Sequence, residues 1–334
     1  MPQASQEPSS AACAGSDWRS LPTGWFTHPL VSLPNPLEEA PESPDRIEAI
    51  ETRLMLGGFE DCVRRVECGP AAREDVLLAH DEDYLDALER ASAGDARALA
   101  RFAEPDTRVG SDTFGCAMAS AGAVVRAVDA VFSRSVRNAF CAVRPPGHHA
   151  SRDRASGFCY LNNAAIGALH AQRRWRLSRV MVLDFDAHHG DGTEEILAGR
   201  PEFRFLSLFQ WPLFPHRRMS PQPANALLTP LLAGSDGSDI ARVVEQEWLP
   251  EVERFRPELM ILSAGFDAHV EERIAQLKAA EVDYARITRQ LVEASVRHCE
   301  GRLVSVLEGG YELRSLARSV FTHLLGLART TSVA

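Results

Sequence analysis

The sequence predicts an α/β protein with a mostly parallel central sheet flanked by helices on both faces. Short apolar runs alternate with helix-patterned segments from about residue 113 to the C-terminus. Such alternation is the pattern of strands joined by crossover helices and covered on both sides. No linker-like stretch interrupts residues 25–330, and no repeat of fixed period occurs, so one domain spanning 21–334 is expected.

The elements follow in order. Thr113–Val131 is Ala-rich and reads as a helix. Asn138–Val143 is a short apolar run broken by Arg144-Pro145-Pro146-Gly147. Leu161–Arg173 reads as a helix, Arg179–Leu183 as a buried strand, Gly192–Leu197 as a short helix and Phe203–Leu208 as the next strand. Asp239–Phe255 is helical, Leu259–Ser263 a strand, Ala279–His298 a helix, Leu303–Leu307 a strand and Ser315–Leu327 the closing helix. Pro212–Ser238 reads as a long surface loop, a candidate surface for homo-oligomer contact. Residues 1 to about 20, rich in Ser, Ala and Pro, read as disordered.

Composition narrows the partners. A net charge of -10 disfavours nonspecific binding to nucleic acid or an anionic membrane and favours a cationic substrate. No apolar run is read as approaching the roughly 20 residues of a membrane span, and no secretory signal is evident. The seven Cys (Cys13, Cys62, Cys68, Cys116, Cys141, Cys159 and Cys299) form no C-x-x-C pair. Free thiols in a reducing, cytoplasmic setting are expected.

In open parallel sheets ligands bind beyond the carboxyl ends of the strands. Four expected strand ends carry polar clusters: Arg144-Pro145-Pro146-Gly147-His148-His149, Asp184 through Asp191, Ala264 through His269, and Glu308-Gly309-Gly310-Tyr311. In extended backbone, residues two apart face the same way, so Asp184, Asp186 and His188 point to one side. Two carboxylates and an imidazole suit a zinc-type ion, and Asp267 is the natural ligand from a neighbouring strand end. The competing reading makes Asp186 and His188 caps of the helix near Gly192. His148 and His149, directed by the Pro-Pro-Gly turn, invite an acid–base role, with Asp184 and Asp191 as spare carboxylates to orient them. Tyr311 follows two glycines and could face a substrate carbonyl opposite the metal; packing is its alternative role.

Together the segments RPPGHHA (Arg144–Ala150), GFCYLNN (Gly157–Asn163), DFDAHHGD (Asp184–Asp191), SAGFDAH (Ser263–His269) and LEGGY (Leu307–Tyr311) resemble the histone deacetylase and acetylpolyamine amidohydrolase superfamily, nearer its bacterial and class II branch. The resemblance runs from about Thr27 to the C-terminal helix and implies the arginase–deacetylase fold. It implies one zinc per chain held by Asp186, His188 and Asp267. It implies His149 as principal general base and acid, His148 assisting, the Asp184 and Asp191 pairings, and Tyr311 on the substrate carbonyl. Gly157, Phe158 and Phe214 match the walls of the acyl-amine tunnel, and Asp106 and Ile274 its rim. A structural potassium is implied near Asp184, Asp186, His188, Ser207 and Leu208. The implied substrate is an acylated lysine or a small acylated amine such as an acetylpolyamine.

The chain departs from the family pattern in places. Phe209 stands where the family often has His, and His216-Arg217-Arg218-Met219 replaces a Gly-rich loop. An apolar Ile274 argues against a polyamine-selective rim that relies on glutamate there. Two other functions compete with the deacylase: a two-manganese ureohydrolase of the same fold, disfavoured by the tandem His, and a non-enzymatic acyl-lysine binder, which would be expected to have lost Tyr311 or a zinc ligand.

Overall fold

The structure, a computed structural model, describes residues 17–217 and 220–329. Eight parallel strands form one sheet: β1 (Thr23–Thr27), β2 (Val63–Glu67), β3 (Ala139–Cys141), β4 (Val180–Asp184), β5 (Phe203–Gln210), β6 (Ala226–Leu231), β7 (Leu259–Ala264) and β8 (Leu303–Leu307). Their order is β2-β1-β3-β8-β7-β4-β5-β6.

Pleating explains how one apolar run serves two cores. Successive side chains leave opposite faces of a strand. Val180 and Val182 of β4 therefore join Ile261 of β7 and Val304 and Val306 of β8 beneath helices Thr113–Phe132 and Asn163–Trp175. Met181 and Leu183, with Met260, Leu262, Leu303 and Leu307, pack on the other face against helices Asp45–Leu56, Glu281–Cys299 and Leu313–Ala328. β4, β7 and β8 are buried along their whole length. Their register aligns Asp184 with Ser263 and Ser263 with Val306, so their carboxyl ends open at one level.

Several expectations change. The apolar helix Thr113–Phe132 is long and apolar enough to cross a membrane, contrary to the reading of the sequence. Two thirds of its apolar window is buried here (67%), as in a core helix. Strands β1 and β2 were not expected; β2, at the edge of the sheet, reads Val-Arg-Arg-Val-Glu, and its charges face solvent. The stretch Pro212–Ser238, expected as loop throughout, contains β6. Pro230 is tolerated there because β6 is the opposite edge. The expected continuous helix Asp239–Phe255 is interrupted by a π-turn at Val244–Trp248, just before Pro250, which has no N–H to donate to an α ladder. Of the N-terminal segment read as disordered, residues 1–16 lie outside the described residues, whereas Trp18–Ser20 forms a 3₁₀ turn capped by Asp17.

One part-buried ion cluster ties helices together on the Thr113–Phe132 side. His170 Nδ1 lies 2.9 Å from Asp75 Oδ1 and Nε2 lies 3.0 Å from Asp129 Oδ1. Both nitrogens can donate only from the imidazolium. Burial opposes that charge, but Asp129 and Asp75 prevail and raise the His170 pKa above its ordinary 6.5. A raised folded-state pKa stabilises the fold fully below about 6.5, and that contribution fades as pH climbs through the folded value. His170→Ala should therefore cost about 1 kcal/mol near pH 6, after discounting for solvent screening of the aspartates, and clearly less at pH 9. Urea unfolding of both proteins at the two pH values measures this, and an equal cost at both would refute it.

Candidate active site

The loops after β3, β4, β7 and β8 meet above the sheet. Asp186 and His188 follow β4, and Asp267 follows β7. One ligand atom from each lies within 4.8 Å of the other two. His188 Nδ1 is 3.1 Å from Asp186 Oδ1 and 2.7 Å from Asp267 Oδ2. Backbone amides hold the carboxylates in place: Gly309 N–H donates to Asp186 Oδ2 at 2.8 Å, and Ala187 N–H to Asp267 Oδ1 at 2.9 Å. The cluster also attracts positive charge. Burial opposes protonation of His188, yet Asp267 and Asp186 raise it to about 10. Two carboxylates and an imidazole converging in a buried spot of negative potential suit a divalent cation.

Glycine makes this convergence possible. A Cβ on Gly309 would sit 2.6 Å from both Asp186 Oδ2 and Asp267 Oδ2, and one on Gly265 would sit 2.1 Å from Asp186 Oδ2.

The tandem histidines stand beside this cluster, with ring centroids 4.0 Å apart. They are 3% and 4% exposed. His148 Nδ1 pairs with Asp184 Oδ2 and His149 Nδ1 with Asp191 Oδ1, each at 2.9 Å. Their environments push them apart. Burial disfavours charge on His148, but Asp184 and Asp186 overcome it and raise its pKa well above the ordinary value. Burial, and then the charge of His148, depress His149 to about 3, so it is the neutral member. Burial would raise Asp191, yet hydrogen bonds from His149 and Arg217 hold it down to about 2. A neutral imidazole with Nδ1–H held by a carboxylate offers Nε2 as proton acceptor.

Aromatic rings wall the site. Phe214 stands edge-on to His149 at 4.9 Å and lies 6.4 Å from His188. Phe158 meets Tyr311 at 5.7 Å. Gly157 lies against His149 and Phe214; a Cβ there would sit 2.5 Å from His149 Cδ2 and 2.8 Å from Phe214 Cε1. Asp106 accepts from Thr107 Oγ1 at 2.7 Å, and that hydroxyl accepts from Phe158 N–H at 3.0 Å. Ile274 is half-buried on the loop after β7, beside Glu272, which accepts from Tyr311 N–H at 2.8 Å. Of the residues expected around a monovalent cation, Asp184 and Ser207 face each other in the β4–β5 register and Leu208 follows on β5. Phe209 is fully buried and lies tilted against His189 at 4.5 Å between ring centroids; His189 bridges Ser207 Oγ and Glu194 Oε2.

Supporting residues that sequence reasoning left without a role now have one. Glu308 is fully buried and accepts from Gly147 N–H at 2.7 Å, His148 N–H at 3.1 Å and Ser263 Oγ at 3.2 Å. It thus binds the tandem-His turn to the ends of β7 and β8. Arg46 donates to the Gly310 carbonyl at 2.7 Å and to the Glu308 carbonyl, with its guanidinium 4.9 Å from the Tyr311 ring. Arg144 forks onto Glu42 at 2.6 and 2.9 Å. Glu308 lay within a recognised cluster; Arg46, 264 residues before Gly310, gave no spacing signal.

Gly309→Ala should crowd both carboxylates apart and weaken divalent-metal binding on the order of tenfold or more, with the fold retained. Calorimetric titration of zinc into metal-stripped protein measures it; unchanged affinity would show that these carboxylates are not ligands.

The sequence matches the histone deacetylase domain over residues 40–327. It is 35% identical to a probable deacetylase of Archaeoglobus fulgidus, over 83% of this chain and 78% of that one. It is 32% identical to the histone deacetylase-like amidohydrolase of Pseudomonas aeruginosa, over 89% and 78%. It is 33% identical to the polyamine deacetylase HDAC10 of Danio rerio over 84% of this chain, which spans less than half (43%) of that longer protein. The crystal structure of the HDA15 HD domain superposes with a TM-score of 0.83 at 28% identity, covering 93% of this chain and 92% of that one. Fold, domain match and relatives agree: the parallel eight-stranded sheet is the arginase–deacetylase fold, and this chain belongs to the histone deacetylase family.

Proposed function

We propose that the protein is a zinc-dependent deacylase that hydrolyses the amide of an acylated amine to free amine and carboxylate. The observation that carries this reading is the adjacency of two buried His–Asp pairs to the convergent set Asp186, His188 and Asp267. Those three residues would hold the zinc, whose Lewis acidity activates both the amide carbonyl and a water molecule when it is bound.

The protein's own groups then divide the work. His149, buried and neutral, accepts the proton from water at Nε2 and returns it to the departing amine. Asp191 fixes its tautomer through Nδ1. His148, paired with Asp184, contributes positive charge beside the developing oxyanion. The Tyr311 hydroxyl, whose pKa is raised first by burial, stays protonated and donates to that same oxygen. Phe158 and Phe214 suit an unbranched alkyl chain leading to the amide, as in acetyl-lysine or a small acetylated amine. Asp106 and Ile274 belong to the rim, and an apolar Ile274 favours acyl-lysine over a polycationic substrate. The same reading places a structural potassium beside Asp184, Asp186, His188, Ser207 and Leu208.

Purified protein should release acetate from acetyl-lysine peptides, lose activity to a chelator and regain it with zinc. Tyr311→Phe should lower kcat by about 10²- to 10³-fold. A loss below tenfold would contradict the oxyanion role. Binding of acetyl-lysine without turnover would mark a non-catalytic relative, and two manganese ions per chain a ureohydrolase. Parallel assays with acetylpolyamines and longer acyl amides rank the substrates.

A further inference from the structure

Arg217 lies in the segment that departs from the family pattern, and it reaches the catalytic machinery. Its Nε donates to Asp191 Oδ2 at 2.7 Å, while Asp191 Oδ1 takes His149 Nδ1 at 2.9 Å. Its Nη2 donates to Ser151 Oγ at 3.3 Å and lies 3.6 Å from Glu195. Arg154 approaches the same Asp191 oxygen at 3.4 Å. Asp191 is only 3% exposed, and a neutral imidazole partner brings it no charge; a buried carboxylate needs a cation or further donors. The Arg217 side chain is 44% exposed and comes from outside to supply them.

The same short segment touches His149 a second time. Phe214, three residues before Arg217, packs edge-on against the His149 ring at 4.9 Å. His149, Asp191, Arg217 and Phe214 thus form a closed circuit: two hydrogen bonds, a stretch of backbone and a ring contact. If the segment shifts outward, the wall and the carboxylate are disturbed together.

We infer that Arg217 is a positioning residue: it latches the Trp211–Arg217 loop to Asp191 and so keeps His149 aimed for proton transfer whenever the aromatic wall is in place. The inference rests on the deacylase reading and assigns no contact between Arg217 and substrate. Because the latch acts on an orientation used in the chemical step, its loss belongs in kcat rather than in KM.

Three variants test it: Arg217→Met, Arg217→Lys, and Arg217→Met in an Asp191→Asn background. Arg217→Met should lower kcat about tenfold, the lower end for an outer partner of an active-site group, with KM within about twofold. Arg217→Lys should recover part of the loss. In the Asp191→Asn background, Arg217→Met should add nothing. A kcat within about twofold of the parent, or the same tenfold loss without Asp191, would overturn the inference. A readout without turnover is the NMR signal of the His149 Nδ1 proton, assigned by its disappearance in His149→Asn. It should shift and broaden in Arg217→Met, and an unchanged signal would also overturn the latch. Should the parent show no hydrolysis, the deacylase reading fails, and the NMR comparison still decides whether Arg217 holds the pair.

Discussion

The structure is organised by the cost of burying charge. Asp184, Asp186, His188, Asp191 and Asp267 are all buried at the carboxyl end of the sheet. Unpaired, any of these carboxylates would be protonated or would drag the fold open. Three are instead answered by backbone donors, Asp186 by Gly309 N–H, Asp267 by Ala187 N–H and Asp184 by Asp186 N–H, and Asp191 by the His149 and Arg217 side chains. Those amides stand where they do because β4, β7 and β8 run parallel in fixed register, so the sheet is what makes the site affordable.

Next come buried groups that lock the loops carrying the candidate site. Burial pushes Glu308 up to about 7, against the charge of His148, yet its three donors come from the tandem-His turn and the end of β7. Arg46 spans from helix Asp45–Leu56 to the carbonyls beneath Tyr311, joining a helix on one face of the sheet to the loop that carries the phenol. Arg144 and Glu42 tether the segment before the histidines to the Val31 and Leu33 carbonyls. Precision at His149 therefore depends on residues far from it in sequence, which rotamers alone could not supply.

What the sequence made legible follows from the same physics. Asp186 and His188 follow β4, where the backbone bends instead of staying extended as expected, and a turn closed by His188 N–H on Asp186 Oδ1 brings them together; the rule about strand ends brings Asp267 to them. The central strands announced themselves as uninterrupted apolar runs because both their faces are buried. The edges did not. β2 spends its outward positions on Arg64, Arg65 and Glu67, and β6 contains Pro230, so neither has the hydrophobic signature of a central strand. Arg46 and Arg217 were illegible for another reason: a guanidinium that serves by reaching across the fold leaves no periodicity behind. Arg217 stood out as a departure from the family pattern, but only coordinates connect it to Asp191.

That contrast separates what this architecture can vary from what it cannot. Groups fixed to strand ends share buried partners, and changing one strands the charge of another. Loop residues such as Ile274 and the Trp211–Arg217 segment face solvent on one side, so substitutions there alter the approach to the site at little cost to the fold. Arg217 is the instructive intermediate. It is exposed enough to vary, yet its inner end touches a carboxylate that cannot. A loop of this kind is able to tune the chemical step without donating a catalytic atom. Changes around residues 212–218 should therefore be judged by their effect on turnover as well as on substrate choice.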